Sequence, residues 1–493
     1  MKLFGKNGGE DEEVTVLVTP HLADNGDEEE SDGDDDDDEA LFTRANLPTL
    51  LCFFWFVFAS AAFMSIITPF LPLELADCGA NSAIVGVIFA AYPLANLASV
   101  PVATRFCSIL GRSRAFVAGA TLEALFGILF GYIHKVAPLG ALKWLYLAIR
   151  FAQGMGSSIA YTALIAWVSD KYRPRLATVL GFQEAVGGIG YMLGPSLGGL
   201  LYQLRGITLP MLLFSISVLI SLPALHLSMV QTERQQATRH EAAGEKAEEE
   251  GSLEGAEGEG VSARQLVNVS TVNSTFVTLI AAVGFGFISP VAAPHFQEVL
   301  SADISTGKVG LLLAIPALLY AVCSPLSGIL SESQLGFKRV MFAGMVLLFI
   351  CYLLMGPIQY LAALVHLRNH SKAMWADQIL SLVLLGIGAA FAFVPALPDM
   401  QKSLSHLGPD ATNAMAGYFN GIYCLGEALG PMLAGLQEFL PFSQVASIIA
   451  YAHLAYMAAF LIACVHNKAR KRQFCVSIYE TASPLQDPLL YNT

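Results

Sequence analysis

Four ionisable residues lie where the surrounding chain is otherwise apolar: Glu123, Arg150, Glu184 and Glu427. Sixteen of the 40 acidic residues fall in residues 1–45 and nine in 230–265, leaving 15 for the rest of the chain. Of these, only the three glutamates named sit well inside apolar runs. An ionised group in a lipid-like setting is costly, so such residues usually face a protein cavity, where a carboxylate can hold a proton or neutralise a cation. The alternative is a hydrogen-bonded structural glutamate between helices, and for Glu123 the two readings are evenly balanced. Arg150 carries a fixed charge. Counting helical rise, Glu427 lies close to its depth and Glu184 does not, so Glu427 is its expected partner. His453 reads as a packed histidine.

Helical geometry groups these residues further. At about 100° per residue, Glu184, Tyr191 and Pro195 fall on one line, as do Asn420, Glu427 and Pro431. Each proline deprives a carbonyl four residues earlier of its helical donor, at Tyr191 and Glu427. Inside a membrane such a carbonyl is tolerated only where protein or water satisfies it. Both lines therefore read as polar stripes facing a wet path. Gly190, Gly194 and Gly198 recur every fourth residue, a ridge for close helix packing at the seam between two bundles.

The elements that must hold these groups are membrane helices. The 493 residues are 55% hydrophobic and only 14% charged, well below the ~25% charged of a soluble domain. Twelve apolar spans are expected, at 48–70, 82–104, 114–134, 144–168, 177–203, 207–229, 274–297, 306–330, 338–358, 376–398, 412–437 and 444–466. The organisation is an acidic disordered tail (1–45), a six-helix bundle (46–229), an acidic linker (230–270), a second six-helix bundle (271–466) and a C-terminal tail (467–493). Lys and Arg concentrate in the termini and in the loops after even-numbered spans, which places both termini and the linker in the cytosol. Trp144, Trp167 and Trp375 are expected at the lipid interfaces. The sequon at Asn369 then lies on the non-cytosolic side as a site for N-glycosylation.

The two bundles repeat one another. VGVIFAAYPLANLASVP (85–101) before LGRSR (110–114) matches VGLLLAIPALLYAVCSP (309–325) before LGFKR (335–339). GIGYMLGPSLGG (188–199) matches CLGEALGPMLAG (424–435) at an offset of 236, pairing Gly190, Gly194 and Pro195 with Gly426, Gly430 and Pro431. Duplicated six-helix halves are typical of secondary transporters with a midplane site between the repeats.

At these residues the chain resembles the major facilitator superfamily. Gly181, Gly190, Gly194, Pro195, Gly198 and Gly199 fit its fifth-helix antiporter signature without a gap, and IRFAQGMGSS (149–158) resembles its fourth-helix motif. GRSR (111–114) keeps the basic end of the motif after helix 2, with Ser108 where an aspartate is usual. SIITPFLPLELADCGANSAIVGVIFAAYPL (65–94) and FGFISPVAAPHFQEVL (285–300) look like the vesicular amine transporters (solute carrier 18), nearest to the polyamine branch. That resemblance implies an all-α membrane fold of twelve helices and exchange of lumenal protons for a cytosolic organic cation. The proton gradient would be the driving force, with no cofactor. It also implies a vesicular or endolysosomal membrane rather than the plasma membrane. Three positions where the family is anionic are neutral here: Ser60, Ala293 and Asn420. They favour, as an alternative, a uniporter or symporter of a neutral or zwitterionic solute; a non-transporting receptor of the same fold is a further rival, against which the intact helix-4 and helix-5 motifs argue. With Ala293 in place of the family's glutamate, the resemblance leaves His295 and Glu298 as alternative partners for Arg150.

The expected pathway residues are Glu184, Glu427, Arg150, Asn420, Tyr191 and Glu123. The gating residues are the six of the fifth-helix signature with Gly426, Gly430 and Pro431. The expected partners are a small cationic solute, protons and lipid, with no nucleic acid and a monomeric chain. No GxSxG, HExxH or phosphate-cradling glycine loop marks an enzyme, and no cysteine or histidine spacing marks a metal site.

Overall fold

The computed structural model describes residues 47–172, 176–250, 268–358, 372–404 and 409–482. The acidic tail, residues 251–267 of the linker and the Asn369 sequon lie outside the described residues. Among the described residues the regular elements are all helical. They are α1 (Leu47–Ser65), α2 (Leu71–Asp77), α3 (Ser82–Leu110), α4 (Arg112–Tyr132), α5 (Leu139–Lys171), α6 (Leu176–Arg205) and α7 (Thr208–Glu250) in the first half. The second half holds α8 (Val269–Val299), α9 (Thr306–Glu332), α10 (Phe337–Leu353), α11 (Lys372–Phe393), α12 (Ala396–Ser403), α13 (Pro409–Ala434) and α14 (Phe442–Ala482).

The expected spans map onto twelve long helical segments, with α11 and α12 together forming the tenth. Nine of these, among the described residues, are long and apolar enough by composition to cross a membrane. The others are α5, α6 and α13, which carry Arg150 and Gln153, Glu184, and Glu427 respectively. Outward residues such as Ile220, Leu318, Val322 and Ile329 are more than 60% exposed, the apolar surface a bilayer would cover.

Local signals explain the boundaries. Asn81 caps α3 by accepting from the Ile84 amide at 3.0 Å, and Asn268 caps α8 through the Thr271 amide at 2.9 Å. Gly111 and Gly336 join α3 to α4 and α9 to α10 in the two repeats, with φ of 83° and 75°. A side chain there would be strained, so glycine recurs.

The expected spans differ from the structure in three places. The first stops at Ser65, where the chain turns near Pro69 and restarts as α2 with Pro72 in its first turn. The tenth breaks after Phe393 at Pro395. The sixth does not end at residue 229: α7 continues to Glu250 into the segment expected as linker. That stretch is rich in Glu, Gln, Ala, Arg and Lys, which cannot build a core but are good helix formers.

Candidate functional site

Glycine contacts bring the polar residues together. A Cβ on Gly119 of α4 would stand 2.7 Å from the Gly156 carbonyl oxygen of α5, and one on Gly156 would stand 2.8 Å from that of Gly119. Gly154 admits the Tyr92 backbone of α3 in the same way. The three backbones therefore approach to small-residue distance, which seats Glu123 against Tyr92. The Tyr92 hydroxyl donates to Glu123 Oε1 at 2.7 Å, and Ser60 Oγ of α1 donates to the same oxygen at 2.8 Å. Ser60 also lies 3.2 Å from Ser157 Oγ. Glu123 and Arg150 are both 0% exposed.

Arg150 does not meet the carboxylate expected for it. Its Nη1 donates to the Phe63 carbonyl at 3.1 Å and to Gln153 Oε1 at 3.0 Å, and its Nη2 donates to the Met64 carbonyl at 3.0 Å. The guanidinium carbon stands 4.5 Å from the centre of the Tyr92 ring. The carbonyls come from the last turn of α1, which stops at Ser65, so helix-end oxygens take the fork. Glu427 instead accepts from the Tyr191 hydroxyl at 2.6 Å. The alternatives lie elsewhere: His295 stacks on Phe442 at 3.7 Å, and Glu298 is exposed. His453 is packed, as expected, with Nδ1 2.8 Å from the Ile449 carbonyl oxygen.

Gly190, Gly194 and Gly198 of α6 face α1 of the same half, against Phe58, Ala62 and Ile66. Gly426 and Gly430 of α13 face α8, against Leu279 and Val283. The ridge is therefore internal to each half rather than at the seam. The seam falls one residue over. A Cβ on Gly199 would come 2.6 Å from the Thr306 carbonyl oxygen of α9, and one on Gly310 would come 3.1 Å from that of Pro195. In the other repeat Gly86 of α3 meets the Pro431 carbonyl of α13, and Gly435 approaches Ala83 at 3.1 Å. A Cβ on Gly181 would meet no atom of the described residues within 4 Å, so no close packing holds this glycine as it holds the others. The Tyr191 carbonyl freed by Pro195 is satisfied by Ser65 Oγ at 2.5 Å.

Between the halves lies a cavity of about 270 Å³. Its wall includes Ser60, Tyr92, Ser157, Glu184, Tyr191 and Asn420, and the broken tenth span contributes Val394, Leu397 and Pro398. Glu184 is the one of the three glutamates that lines it, with the Tyr161 hydroxyl 3.5 Å from Oε1. Glu123 and Glu427 stand behind the lining, each bonded to a tyrosine that belongs to it. The cavity reaches Gly181, whose place on α6 is level with the start of α1, so it extends toward the end of the bundle where the described chain begins. The opposite end is closed by the Gly199–Gly310 and Gly86–Pro431 contacts.

Tyr92, Tyr161 and Tyr423 were not singled out from the sequence. A tyrosine inside an apolar span was the available signal, because its hydroxyl needs a partner when buried. Trp167 corrects the aromatic-belt expectation: it is 1% exposed and its Nε1 donates to Thr232 Oγ1 at 3.1 Å. Trp144 is 56% exposed, as a belt residue would be. Among the described residues no cluster of three His, Cys, Asp or Glu could hold a metal ion.

The sequence signature of the Major Facilitator Superfamily matches residues 53–431. The chain is 28% identical over 413 residues to the MFS-type transporter SLC18B1 of Mus musculus, covering 80% of this chain and 82% of that one. It is 26% identical over 449 residues to the Homo sapiens protein of that name, covering 88% of each. A shorter match of 157 residues, 32% identical, joins 31% of this chain to 29% of the vesicular acetylcholine transporter of Tetronarce californica.

Proposed function

Since the chain belongs to the major facilitator superfamily and is a membrane transporter rather than an enzyme, we propose that it exchanges protons for a small organic cation of the amine or polyamine type. The observation that carries this reading is the cavity between the halves, which exposes one carboxylate, Glu184, and has two more screened just behind its wall. Tyr92, Tyr191, Tyr320, Tyr423, Phe285 and Phe393 also face it, and aromatic faces favour a cation. One relative is by name a vesicular acetylcholine transporter, which supports a cationic solute and a vesicular membrane.

In this reading Glu184 and Asn420 meet the solute at the cavity wall, while Glu427, Glu123 and the Tyr191 hydroxyl serve the proton path. Arg150 braces α1 against α5. The halves rock about the cavity, and the glycine contacts at the seam close one end at a time. With both termini in the cytosol, as loop charges require, the cavity faces the cytosol and the glycine seal faces the lumen. A single chain holds the whole cavity, which suits a monomer.

The test is uptake of radiolabelled spermidine and of radiolabelled acetylcholine into proteoliposomes, with and without an interior-acid pH gradient. Gradient-dependent accumulation of either is the expected result, and at least one of Glu184→Gln and Glu427→Gln should abolish it in folded protein. Uptake that ignores the gradient would establish the uniporter reading instead.

A further inference from the structure

Glu184 and Glu427 differ in what can reach them. Glu184 lines the cavity, so the cationic group of a bound solute can approach its carboxylate directly. Glu427 is 2% exposed and lies behind Tyr191 and Tyr423, both of which line the cavity. Tyr191 donates to Glu427 Oε2 at 2.6 Å and lies 3.2 Å from Ser289 Oγ. The Tyr191 ring is held edge-on to Tyr423, centroids 6.3 Å apart, and its own carbonyl is tied to Ser65. A solute cannot touch Glu427 unless this wall comes apart. A proton can, because a phenolic hydroxyl accepts one hydrogen bond while donating another.

The bond also joins the two halves. Tyr191 sits on α6 of the first and Glu427 on α13 of the second, whereas Glu123 and its donors Tyr92 and Ser60 all belong to the first. Of the hydrogen bonds described for the three glutamates, the one from Tyr191 to Glu427 therefore spans the halves and must respond when they rock, together with the Tyr191–Ser289 contact. A hydroxyl bonded to an ionised carboxylate is held roughly twice as strongly as one bonded to a neutral group. Protonating Glu427 weakens the tie.

We propose that Glu427 is a proton-only site, reached through the Tyr191 hydroxyl, whose protonation loosens a hydrogen bond between the halves, while the solute cation is held by Glu184. The step is a proton transfer in which the Tyr191 O–H bond breaks as an O–H bond forms on Glu427. Tyr191 regains a proton from a hydronium in the cavity, so the tyrosine is unchanged overall. This division of labour rests on the proton-exchange reading above.

The experiment compares wild type, Glu427→Gln, Tyr191→Phe and Glu184→Gln as full chains in proteoliposomes, with radiolabelled spermidine and acetylcholine as probes. Two rates are read: accumulation driven by an interior-acid gradient, and exchange of labelled for unlabelled probe at equal pH. Glu427→Gln should lose gradient-driven accumulation while exchange stays within about twofold of wild type, because its contact is not with the solute. Tyr191→Phe, which removes only a hydroxyl, should slow accumulation about tenfold and spare exchange. Glu184→Gln should weaken probe binding about tenfold and lower both rates. In weakly buffered detergent, adding probe should release protons from wild type and none from Glu427→Gln.

A purely structural Tyr191 would lower both rates together along with the melting temperature, and that result overturns the proposal. So does probe binding in Glu427→Gln that is as weak as in Glu184→Gln. A wild type that exchanges probe but ignores the gradient defeats the proton-exchange reading itself, before any variant is compared.

Discussion

Tyr191 and Glu427 occupy equivalent positions in the two repeats, 236 residues apart, and they hydrogen-bond to each other at 2.6 Å. The duplicated helices therefore touch through the same position on each, near the axis that relates the halves. One copy offers a hydroxyl and the other a carboxylate, so an ancestral symmetry has become a donor–acceptor pair. Pro195 and Pro431 repeat the pattern one turn later, each packed by its carbonyl or its neighbour's against a glycine of the opposite half, Gly310 and Gly86.

Arg150→Lys should impair both folding and flux. A lysine ammonium cannot reproduce a planar fork that serves two backbone carbonyls and Gln153 at once. The expected loss is about 1–3 kcal/mol in stability, read as a lower melting temperature in detergent, with reduced uptake per folded molecule. Unchanged melting would mean that the carbonyl contacts contribute nothing.

Two glycines of the same helical signature should respond in opposite ways to alanine. Gly198→Ala drives a methyl into the Ile66 carbonyl oxygen just past the end of α1, whereas Gly181→Ala meets no atom of the described residues within 4 Å. The first should cost about 1–3 kcal/mol by overpacking. The second should leave stability unchanged or raise it slightly, since alanine is the better helix former. Thermal unfolding of the two purified variants checks both.

Ser65→Ala removes the donor to the carbonyl that Pro195 frees at Tyr191. An unsatisfied buried acceptor costs about 1–3 kcal/mol. Ser65→Thr keeps the hydroxyl and should recover most of it. If alanine melts like wild type, another group supplies the donor.

Glycan mapping of the chain from a eukaryotic host should find sugar only at Asn369, if the termini are cytosolic. The sequons at Asn268 and Asn273 are occupied otherwise: Asn268 caps α8 and donates to Ser403 Oγ at 3.1 Å, and Asn273 accepts from the Tyr456 hydroxyl at 2.9 Å. A glycan on Asn268 would invert the topology and place the cavity toward the lumen.

The helices, their number and their duplication were legible in the sequence because each rests on local or periodic signals. Length and hydropathy mark a span, and repeated Gly and Pro positions mark the two halves. The buried glutamates were legible too, since a charge inside an apolar run stands out without any knowledge of its neighbours. Partners were not. Helical phase set Glu184, Tyr191 and Pro195 on one stripe, but it could not say that Tyr191 reaches Glu427, that Glu123 takes hydroxyls from Ser60 and Tyr92, or that Arg150 ends on the carbonyls of α1. Depth along a helix is one coordinate, and a hydrogen bond needs three. Which glutamate faces the cavity and which stand behind a tyrosine was decided by the packing of α6 on α1 and of α13 on α8. That packing turns on backbone approach at glycines whose neighbours in space lie far away in the chain.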